Sequence, residues 1–183
     1  MSKKDENIEI PVVLGTAREG RESEKIARHV CSALANQRGV STRLVDVRDF
    51  VMTRTIPGWE EHAETRAWKD IANHADGFIF VFPEYNRGYP GEFKMLLDSA
   101  YDEYDMKPAG IVSVSNGSYG GAAGAEAIKQ VLSELGMVAL RKEVRVQSVE
   151  SVDMTVYRER IEALFELVLR YARVLKKARE EES

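Results

Sequence analysis

Five short apolar runs alternate along this chain with five segments in which apolar residues recur at the spacing of an α-helix. The predicted strands are residues 8–14, 40–47, 77–82, 109–115 and 137–146. The helical stripes are residues 26–34, 67–75, 93–104, 125–135 and 157–175. Parallel strands need a crossover connection between them, and a helix is the usual one. The alternation therefore predicts a parallel sheet with helices on both faces.

The run 77–82 is continuously apolar, as expected of a strand that is buried on both faces. Right-handed crossovers leave few topologies for such a chain. We expect an α/β fold of the flavodoxin-like type, a three-layer sandwich whose five-stranded parallel sheet has the order 2-1-3-4-5. There is no internal repeat and no linker, so we expect a single domain over residues 1–183, with frayed ends at 1–7 and 177–183.

Local signals set the expected ends of these elements. Pro11 donates no ladder hydrogen bond, so we place it near the start of the first strand. Ser23 is a suitable N-cap for the first helix, and Gly39 is expected to end that helix. The third helical stripe is expected to continue to Tyr104.

The charged residues and cysteines restrict the partners of the chain. Lysine and arginine number 26 and aspartate and glutamate 30, which gives a net charge of −4. This balance argues against nucleic-acid binding, which needs a basic surface. No apolar run reaches the roughly 18–20 residues of a membrane span. Cys31 is the single cysteine and the 3 histidines are scattered, so we expect no internal disulfide, no metal site and a cytoplasmic location.

Ligands of such sheets bind beyond the carboxyl ends of the strands, where the strand order reverses. Three predicted loops meet there, and we number them by the strand that precedes them. Loop 1 is residues 15–23, loop 3 is residues 83–91 and loop 4 is residues 115–121. One glycine-containing loop can arise by chance, but three at one switch point indicate a ligand site.

Loop 1 leads into the N-terminus of a helix, where unpaired N–H groups and the helix dipole favour an anion. The hydroxyls of Thr16 and Ser23 suit a phosphomonoester, and Arg18 or Arg21 adds positive charge. Taken alone, the loop suits an ordinary turn before a capped helix equally well. A nucleoside-triphosphate P-loop is rejected, because Arg21 and Glu22 stand where that motif has lysine and a hydroxyl.

Loops 3 and 4 each allow two interpretations. Loop 3 has two prolines and two glycines, and it could present main-chain N–H and C=O groups to a flat heterocycle. Its tyrosines could instead simply pack in a rigid crossover. The glycines of loop 4 allow a ligand close to the backbone, and they also suit a flexible turn before a helix.

These loops resemble those of the NADPH-dependent FMN reductase family, flavodoxin-like enzymes that include quinone, chromate and azo-dye reductases. The most specific matching motif is Pro83-Glu84-Tyr85-Asn86, then Pro90-Gly91, then Lys94 and Asp98. Gly15-Thr16-Ala17-Arg18, with the later Ser23, matches the phosphate loop of the family. The resemblance extends from Ile8 to the last helix. The chain departs from the family at Gly88, where serine is common, and in the helix that follows loop 3.

The resemblance implies a site for FMN and for NADPH or NADH as hydride donor. The residues that it assigns to the FMN phosphate are Thr16, Arg18 and Ser23. Those that it assigns to the isoalloxazine ring are Pro83, Glu84, Tyr85 and Asn86. Those that it assigns to the ribityl chain and the other ring edge are Ser115, Gly117, Ser118, Gly120 and Gly121. Arg87 and Tyr89 are expected at the substrate rim, where Arg87 could attract the 2′-phosphate of NADPH or remain a solvated charge.

The implied activity is a ping-pong transfer of hydride from nicotinamide to flavin and then to a quinone or a similar small acceptor, such as chromate, an azo compound or free flavin. No protein nucleophile or general base is expected, because the flavin carries the chemistry. Family members are commonly dimers or dimers of dimers, so a homo-oligomer is expected. Two alternatives stay open: a flavodoxin-type electron carrier without nicotinamide activity, and a cofactor-free module of the same fold.

Overall fold

The computed structural model describes residues 7–50 and 53–182 and has a parallel sheet between two layers of helices. The strands are β1 (Ile8–Glu9), β2 (Val12–Leu14), β3 (Val40–Ser41), β4 (Leu44–Asp46), β5 (Phe78–Pro83), β6 (Pro108–Val114) and β7 (Val138–Val146). The helices are α1 (Ser23–Ala35), α2 (Ala63–His74), α3 (Gly91–Asp98), α4 (Ala122–Glu134) and α5 (Arg158–Glu182). The main sheet has the order β4-β2-β5-β6-β7, and its neighbouring strands are parallel.

When β1 is counted with β2 and β3 with β4, this is the order 2-1-3-4-5, and the predicted flavodoxin-like α/β fold is confirmed. Each of the first two predicted strands is nevertheless two segments. β1 pairs with β3 in a separate ladder, and Pro11 lies at the break before β2. The N–H groups of Ile10 and Val12 on either side still donate hydrogen bonds of 2.9 Å, to the carbonyls of Ser41 and Arg43. The missing N–H of Pro11 thus interrupts the ladder without ending it.

Alternate side chains of the central strand β5 face the two helical layers. Ile79 and Val81 join a core with α1 and α5, whereas Phe78, Phe80 and Phe82 join a core with α2, α3 and α4. All of these side chains are fully buried. Burial of each large apolar side chain contributes about 1.5–3 kcal/mol. The continuous apolar sequence of β5 therefore stabilises both layers, as expected for the middle of a parallel sheet.

The first helix ends earlier than predicted. α1 ends at Ala35 rather than at Gly39. Asn36 closes its last turn by donating from its side-chain amide to the Ser32 carbonyl at 3.1 Å. Gly39 lies in the following turn with φ +70°.

The third helix is also shorter than its apolar stripe. α3 ends at Asp98, and the residues up to Tyr104 include a separate 3₁₀ helix, Asp102–Tyr104. Ser99 Oγ donates to the Leu96 carbonyl at 2.7 Å, and this local bond competes with a further helical turn. The apolar stripe in the sequence extends beyond the end of α3 because Tyr104 is buried in the same core as that helix. Its hydroxyl accepts a hydrogen bond from the Trp68 indole N–H at 2.7 Å.

The last helix continues to Glu182 and so includes most of the segment from residue 177, whose fraying stays a prediction. Lys176 and Arg179 anchor its end, because both form ion pairs with Asp76, at 3.1 and 3.3 Å. The expected fraying of residues 1–6 and 183 lies outside the described residues. Within residues 7–50 and 53–182, no helix is long and apolar enough to span a membrane.

Candidate functional site

Loops 1, 3 and 4 meet at the carboxyl ends of β2, β5 and β6. Between them lies a cavity of about 260 Å³. Its lining residues are Arg18, Gly20, Arg21, Glu22, Ser23, Pro83, Glu84, Tyr85, Val114, Ser115, Asn116, Val149 and Glu150. A second cavity of about 520 Å³ shares Arg18, Glu84 and Tyr85 with the first and adds Asn86. We call the two together the switch-point cleft.

Ser23 does not cap α1, contrary to the prediction. It is the first residue of the helix, and Glu22 occupies the N-cap position without a side-chain cap. The Ser23 side chain is only 2% exposed, and its Oγ has no hydrogen-bond partner in the protein. Leaving a buried hydroxyl unpaired costs about 1–3 kcal/mol. At the positive end of a 13-residue helix, this hydroxyl is suited to an anionic ligand in the cleft.

Arg21 is a structural residue of loop 1. Its guanidinium forms ion pairs with Asp46 at the end of β4 and with Glu24, and it donates to the Thr16 carbonyl. The hydrogen bond to Asp46 raises the pKa of Arg21 above its ordinary value. Burial opposes ionisation of Asp46, but the hydrogen bonds from Arg21 and the Arg48 N–H outweigh it and lower the Asp46 pKa. The positive charge of Arg21 is therefore balanced by two carboxylates of the protein itself, without a ligand.

Arg18 is the arginine of loop 1 that remains exposed toward the cleft. Its guanidinium carbon lies 5.7 Å from the centre of the Tyr85 ring, in the range of a cation–π contact. Of the two arginines that the sequence offered for phosphate charge, the geometry therefore favours Arg18. Thr16 is fully buried beneath the loop, and its hydroxyl contacts Tyr85 and Glu92 rather than lining the cleft.

Loop 3 folds into a tight turn at the edge of the cleft. Tyr85 and Gly88 exchange two backbone hydrogen bonds, each 2.9 Å long. Asn86 and Arg87 between them have φ of +49° and +65°, the two left-handed positions of a type I′ turn. Asn tolerates this conformation well, whereas Arg rarely adopts it. The turn leaves Asn86 and Arg87 exposed to solvent.

The carboxylate of Glu84 binds the start of α4. Its Oε2 accepts hydrogen bonds from the N–H groups of Ala123 at 2.8 Å and Gly124 at 3.1 Å. A carboxylate at a helix N-terminus also interacts favourably with the helix dipole. A Cβ at Gly124 would lie 2.9 Å from the Gly88 carbonyl oxygen, so only glycine lets α4 approach loop 3 this closely. Glu84 and Gly124 together fix loop 3 against the helix that follows loop 4.

Loop 4 is anchored at its end and open at its middle. Ser113 Oγ donates to the Gly120 carbonyl at 2.7 Å. Gly120 has φ +59°, and a Cβ there would lie 2.7 Å from the Arg145 backbone. Gly117 and Ser118 are exposed, and the Gly117 N–H donates to Ser115 Oγ at 3.0 Å.

The structure brings part of the predicted residue set into the cleft. The predicted residues that line it are Arg18, Ser23, Pro83, Glu84, Tyr85, Asn86 and Ser115. Tyr89 is half-buried against the aromatic core, and the other predicted residues of loops 3 and 4 do not line the cleft.

Sequence reasoning missed the segment after β7. Val149 and Glu150 line the cleft from there, and the Val149 N–H donates to the Ser115 carbonyl. The signal was available in principle, because the end of β7 lies at the same edge of the sheet as the ends of β5 and β6. In the described part of the chain, no group of three or more His, Cys, Asp or Glu side chains could hold a metal ion.

Another groove, of about 510 Å³, lies between β7 and α5. It is lined by the middle of α5 and by residues of the edge strand β7, and no helix begins there. The loops, the helix start and the unpartnered serine all belong to the switch-point cleft, so we place the functional site in that cleft.

A parallel sheet of this order, with a helix N-terminus open to a cleft at its switch point, defines a flavodoxin-like α/β protein. The family described as NADPH-dependent FMN reductase matches residues 8–150. The chain is 32% identical over 140 residues to an NAD(P)H-dependent FMN reductase of Schizosaccharomyces pombe, covering 72% of this chain and 68% of the relative. It is also 32% identical over 138 residues to a quinone reductase of Pseudomonas putida, covering 72% and 73% of the two chains.

Among solved structures, the flavoenzyme NAD(P)H:(acceptor) oxidoreductase FerB of Paracoccus denitrificans superposes with a TM-score of 0.69. The alignment covers 93% of this chain and 98% of that one at 24% identity, and this similarity supports the fold alone. The family match and the curated relatives also establish the family. This chain belongs to the NADPH-dependent FMN reductase family.

Proposed function

We propose that the chain binds FMN in the switch-point cleft and is an NAD(P)H-dependent reductase of quinones or similar small acceptors. The observation that carries this proposal is the buried Ser23 hydroxyl, which has no protein partner and sits at the start of α1 within the cleft. A phosphate group would supply the missing acceptor, and the helix N-terminus favours its charge. The residues present therefore fit FMN, and the names of the curated relatives point to the same cofactor.

When bound, FMN supplies the hydride chemistry, and the protein supplies binding, orientation and electrostatics. Ser23 and Arg18 would hold the phosphate. Arg18 would provide the positive charge, because Arg21 is already ion-paired with Asp46 and Glu24. Tyr85, Pro83 and the backbone of loop 3 would border the ring. Glu84 fixes that loop to α4 through its carboxylate, so its proposed part in ring binding is to position backbone groups.

Loop 4 would border the ribityl chain and the other edge of the ring. Ser115 lines the cleft, and the backbone N–H groups of the exposed residues Ser118 and Tyr119 would be donors to the ligand. Arg87 at the exposed turn would meet an anionic part of the donor or acceptor. No protein nucleophile, base or metal would be needed, because bound FMN would supply the hydride chemistry.

We also propose that the single domain predicted over residues 1–183 acts as a homo-oligomer, a dimer or a dimer of dimers, in the cytoplasm. A pair of surface aromatic residues supports the oligomer. Trp59 is 74% exposed and Tyr101 is 43% exposed, and their rings pack edge to face with centres 6.3 Å apart. Exposed aromatic groups of this size are typical of subunit contacts. Analytical ultracentrifugation of the wild type and of Trp59→Ser tests this proposal.

The experiment for FMN binding compares the wild type with Ser23→Ala and with Ser32→Ala, an exposed serine on the same helix. We expect the wild type to retain FMN on desalting and the flavin absorbance to bleach when NADPH is added without oxygen. Losing a charge-assisted hydrogen bond weakens binding about tenfold or more, so Ser23→Ala should raise the FMN dissociation constant by that factor while Ser32→Ala leaves it unchanged. A flavin that binds but is not reduced by NADPH or NADH would favour the electron carrier, and no flavin binding would favour the cofactor-free module.

A further inference from the structure

One carboxylate beside the cleft has contacts that the proposed function does not use. Glu92 lies in the first turn of α3, directly after loop 3, and it is partly buried. Its Oε1 accepts hydrogen bonds from the Ala17 N–H at 2.8 Å and from the Thr16 hydroxyl at 3.0 Å. Glu92 therefore joins loop 1 to the helix that follows loop 3, across a separation of 76 residues.

The contacts of the Thr16 hydroxyl fix the direction of each hydrogen bond. A hydroxyl donates one proton, and an ionised carboxylate only accepts. The Thr16 proton therefore goes to Glu92, and the Thr16 oxygen accepts from its other neighbours. These are the Arg18 N–H at 3.3 Å and the Tyr85 hydroxyl at 3.1 Å. Because Thr16 is fully buried, no solvent competes for these bonds.

The same chain of bonds determines how two lining residues face the cleft. The Tyr85 phenol is held with its proton toward Thr16, and the Arg18 guanidinium lies over the Tyr85 ring. Both side chains line both parts of the cleft. Glu92 itself does not line the cleft, so its effect on a ligand is transmitted through Thr16 and Ala17.

We propose that Glu92 is a positioning residue that holds loop 1 and Tyr85 in the FMN-binding arrangement before the flavin arrives. The inference rests on the proposed function. A loop that must become ordered when its ligand binds lowers the affinity, and a loop that is already ordered avoids this loss. Glu84 gives loop 3 the corresponding link to α4, so the carboxylates on either side of the Tyr85–Gly88 turn connect all three loops.

The test uses Glu92→Ala, Glu92→Gln and Thr16→Val, with Glu64→Ala as the matched control. Glu64 is an exposed glutamate in the first turn of α2, so its removal has the same effect on a helix start without touching loop 1. The FMN dissociation constant is measured by quenching of flavin fluorescence. The exchange rate of the Ala17 amide hydrogen is measured by NMR in the flavin-free protein, and thermal unfolding shows that each variant is folded.

We expect Glu92→Ala and Thr16→Val each to weaken FMN binding about tenfold. The double variant should lose less than the sum of the two single losses, because the Thr16–Glu92 hydrogen bond is removed by either substitution. Glu92→Gln should restore most of the affinity, since the amide oxygen can accept the same two bonds. Exchange of the Ala17 amide should be faster in Glu92→Ala and unchanged in Glu64→Ala.

Wild-type affinity in a folded Glu92→Ala, or an additive loss in the double variant, would overturn the positioning role and leave the proposed function intact. If Glu92→Ala does not fold, Thr16→Val carries the same prediction, because valine matches the shape of threonine without the hydroxyl. A wild-type protein that does not bind FMN would overturn the proposed function and this inference with it.

Discussion

At the scale of single residues, the switch-point cleft contains conformations and groups that an isolated chain would avoid. Ser23 is a buried hydroxyl without a partner, and Arg87 has a left-handed backbone. Each costs free energy that the rest of the fold must offset, and such residues concentrate where ligands bind. In both cases the unfavourable feature lies at the edge of one cleft, which supports a role in ligand binding.

Arg87 allows a direct test of this cost. The second left-handed position of a type I′ turn strongly favours glycine, so we expect Arg87→Gly to stabilise the protein by about 1 kcal/mol. Urea denaturation measures this change in the free energy of unfolding. Asn86→Gly is the matched control at the neighbouring position, and it should gain little because asparagine already tolerates a positive φ. Equal stability of the wild type and Arg87→Gly would show that the turn carries no strain.

At the scale of elements, loop 1 is held by three different parts of the fold. Arg21 connects it to β4 through Asp46, Glu92 connects it to α3, and Arg48 donates to its Ala17 and Arg18 carbonyls at 3.1 and 2.6 Å. An anion-binding loop needs its N–H groups aimed at one point, and these contacts use its carbonyls and the N–H of Ala17. The amides nearer to the start of α1 stay available for a ligand.

The Arg21–Asp46 pair makes the stability of this loop depend on pH in a defined direction. The pKa of Asp46 is lower in the folded protein than the ordinary value of 3.8, so the pair stabilises the fold fully above that value. The contribution is lost as the pH falls through the folded pKa. We expect Asp46→Asn to lower the free energy of unfolding by about 2 kcal/mol at neutral pH, and this difference from the wild type should shrink in acid.

Denaturation of the wild type, Asp46→Asn and Asp49→Asn across that range provides the measurement. Asp49 is an exposed aspartate three residues further along, so its variant should follow the wild type at every pH. A gap between the wild type and Asp46→Asn that stays constant into acid would contradict the prediction, because it would mean that ionisation of Asp46 does not contribute.

At the scale of the whole molecule, the sequence predicted what depends on local periodicity. The five strands, the helices between them and the three loops were visible because each is encoded by neighbouring residues. The contacts within the site were not, because they join distant segments: Arg21 and Asp46 are 25 residues apart, and Thr16 and Glu92 are 76 apart. For the same reason the sequence wrongly predicted Ser23 as the N-cap of α1 and did not indicate that Glu84 would bind the start of α4.

The two ends of the sheet carry different kinds of polar residues. The carboxyl end holds the cleft, whereas the amino end holds a network built around Asp76, Lys107 and Arg179. Asp76 accepts from the Glu9 N–H at 3.0 Å, and Arg179 donates to the Met106 carbonyl at 2.8 Å. These bonds attach the end of α5 to the amino ends of the strands. Changes there should affect stability without altering the ligand site.

Lys107 is the residue of this network whose titration can be followed. It is buried, and its ammonium donates to the Ala72 and Asn73 carbonyls at the end of α2, at 2.7 and 2.9 Å. Burial, helped by the charge of Arg179, lowers its pKa from 10.5 to about 8, although Asp76 acts in the opposite direction. Between these two values the unfolded chain binds more protons than the folded protein, so stability rises with pH.

Lys107→Met removes this titration. We therefore expect the free energy of unfolding of the wild type, relative to the variant, to increase between pH 8 and 10.5, by on the order of 2–3 kcal/mol. Urea denaturation at both ends of that range measures the change, and Lys142→Met, an exposed lysine of β7, should show none. A difference that does not vary with pH would mean that Lys107 keeps its ordinary pKa in the folded protein. The FMN affinity of Lys107→Met should equal that of the wild type, because the cleft lies at the opposite end of the sheet.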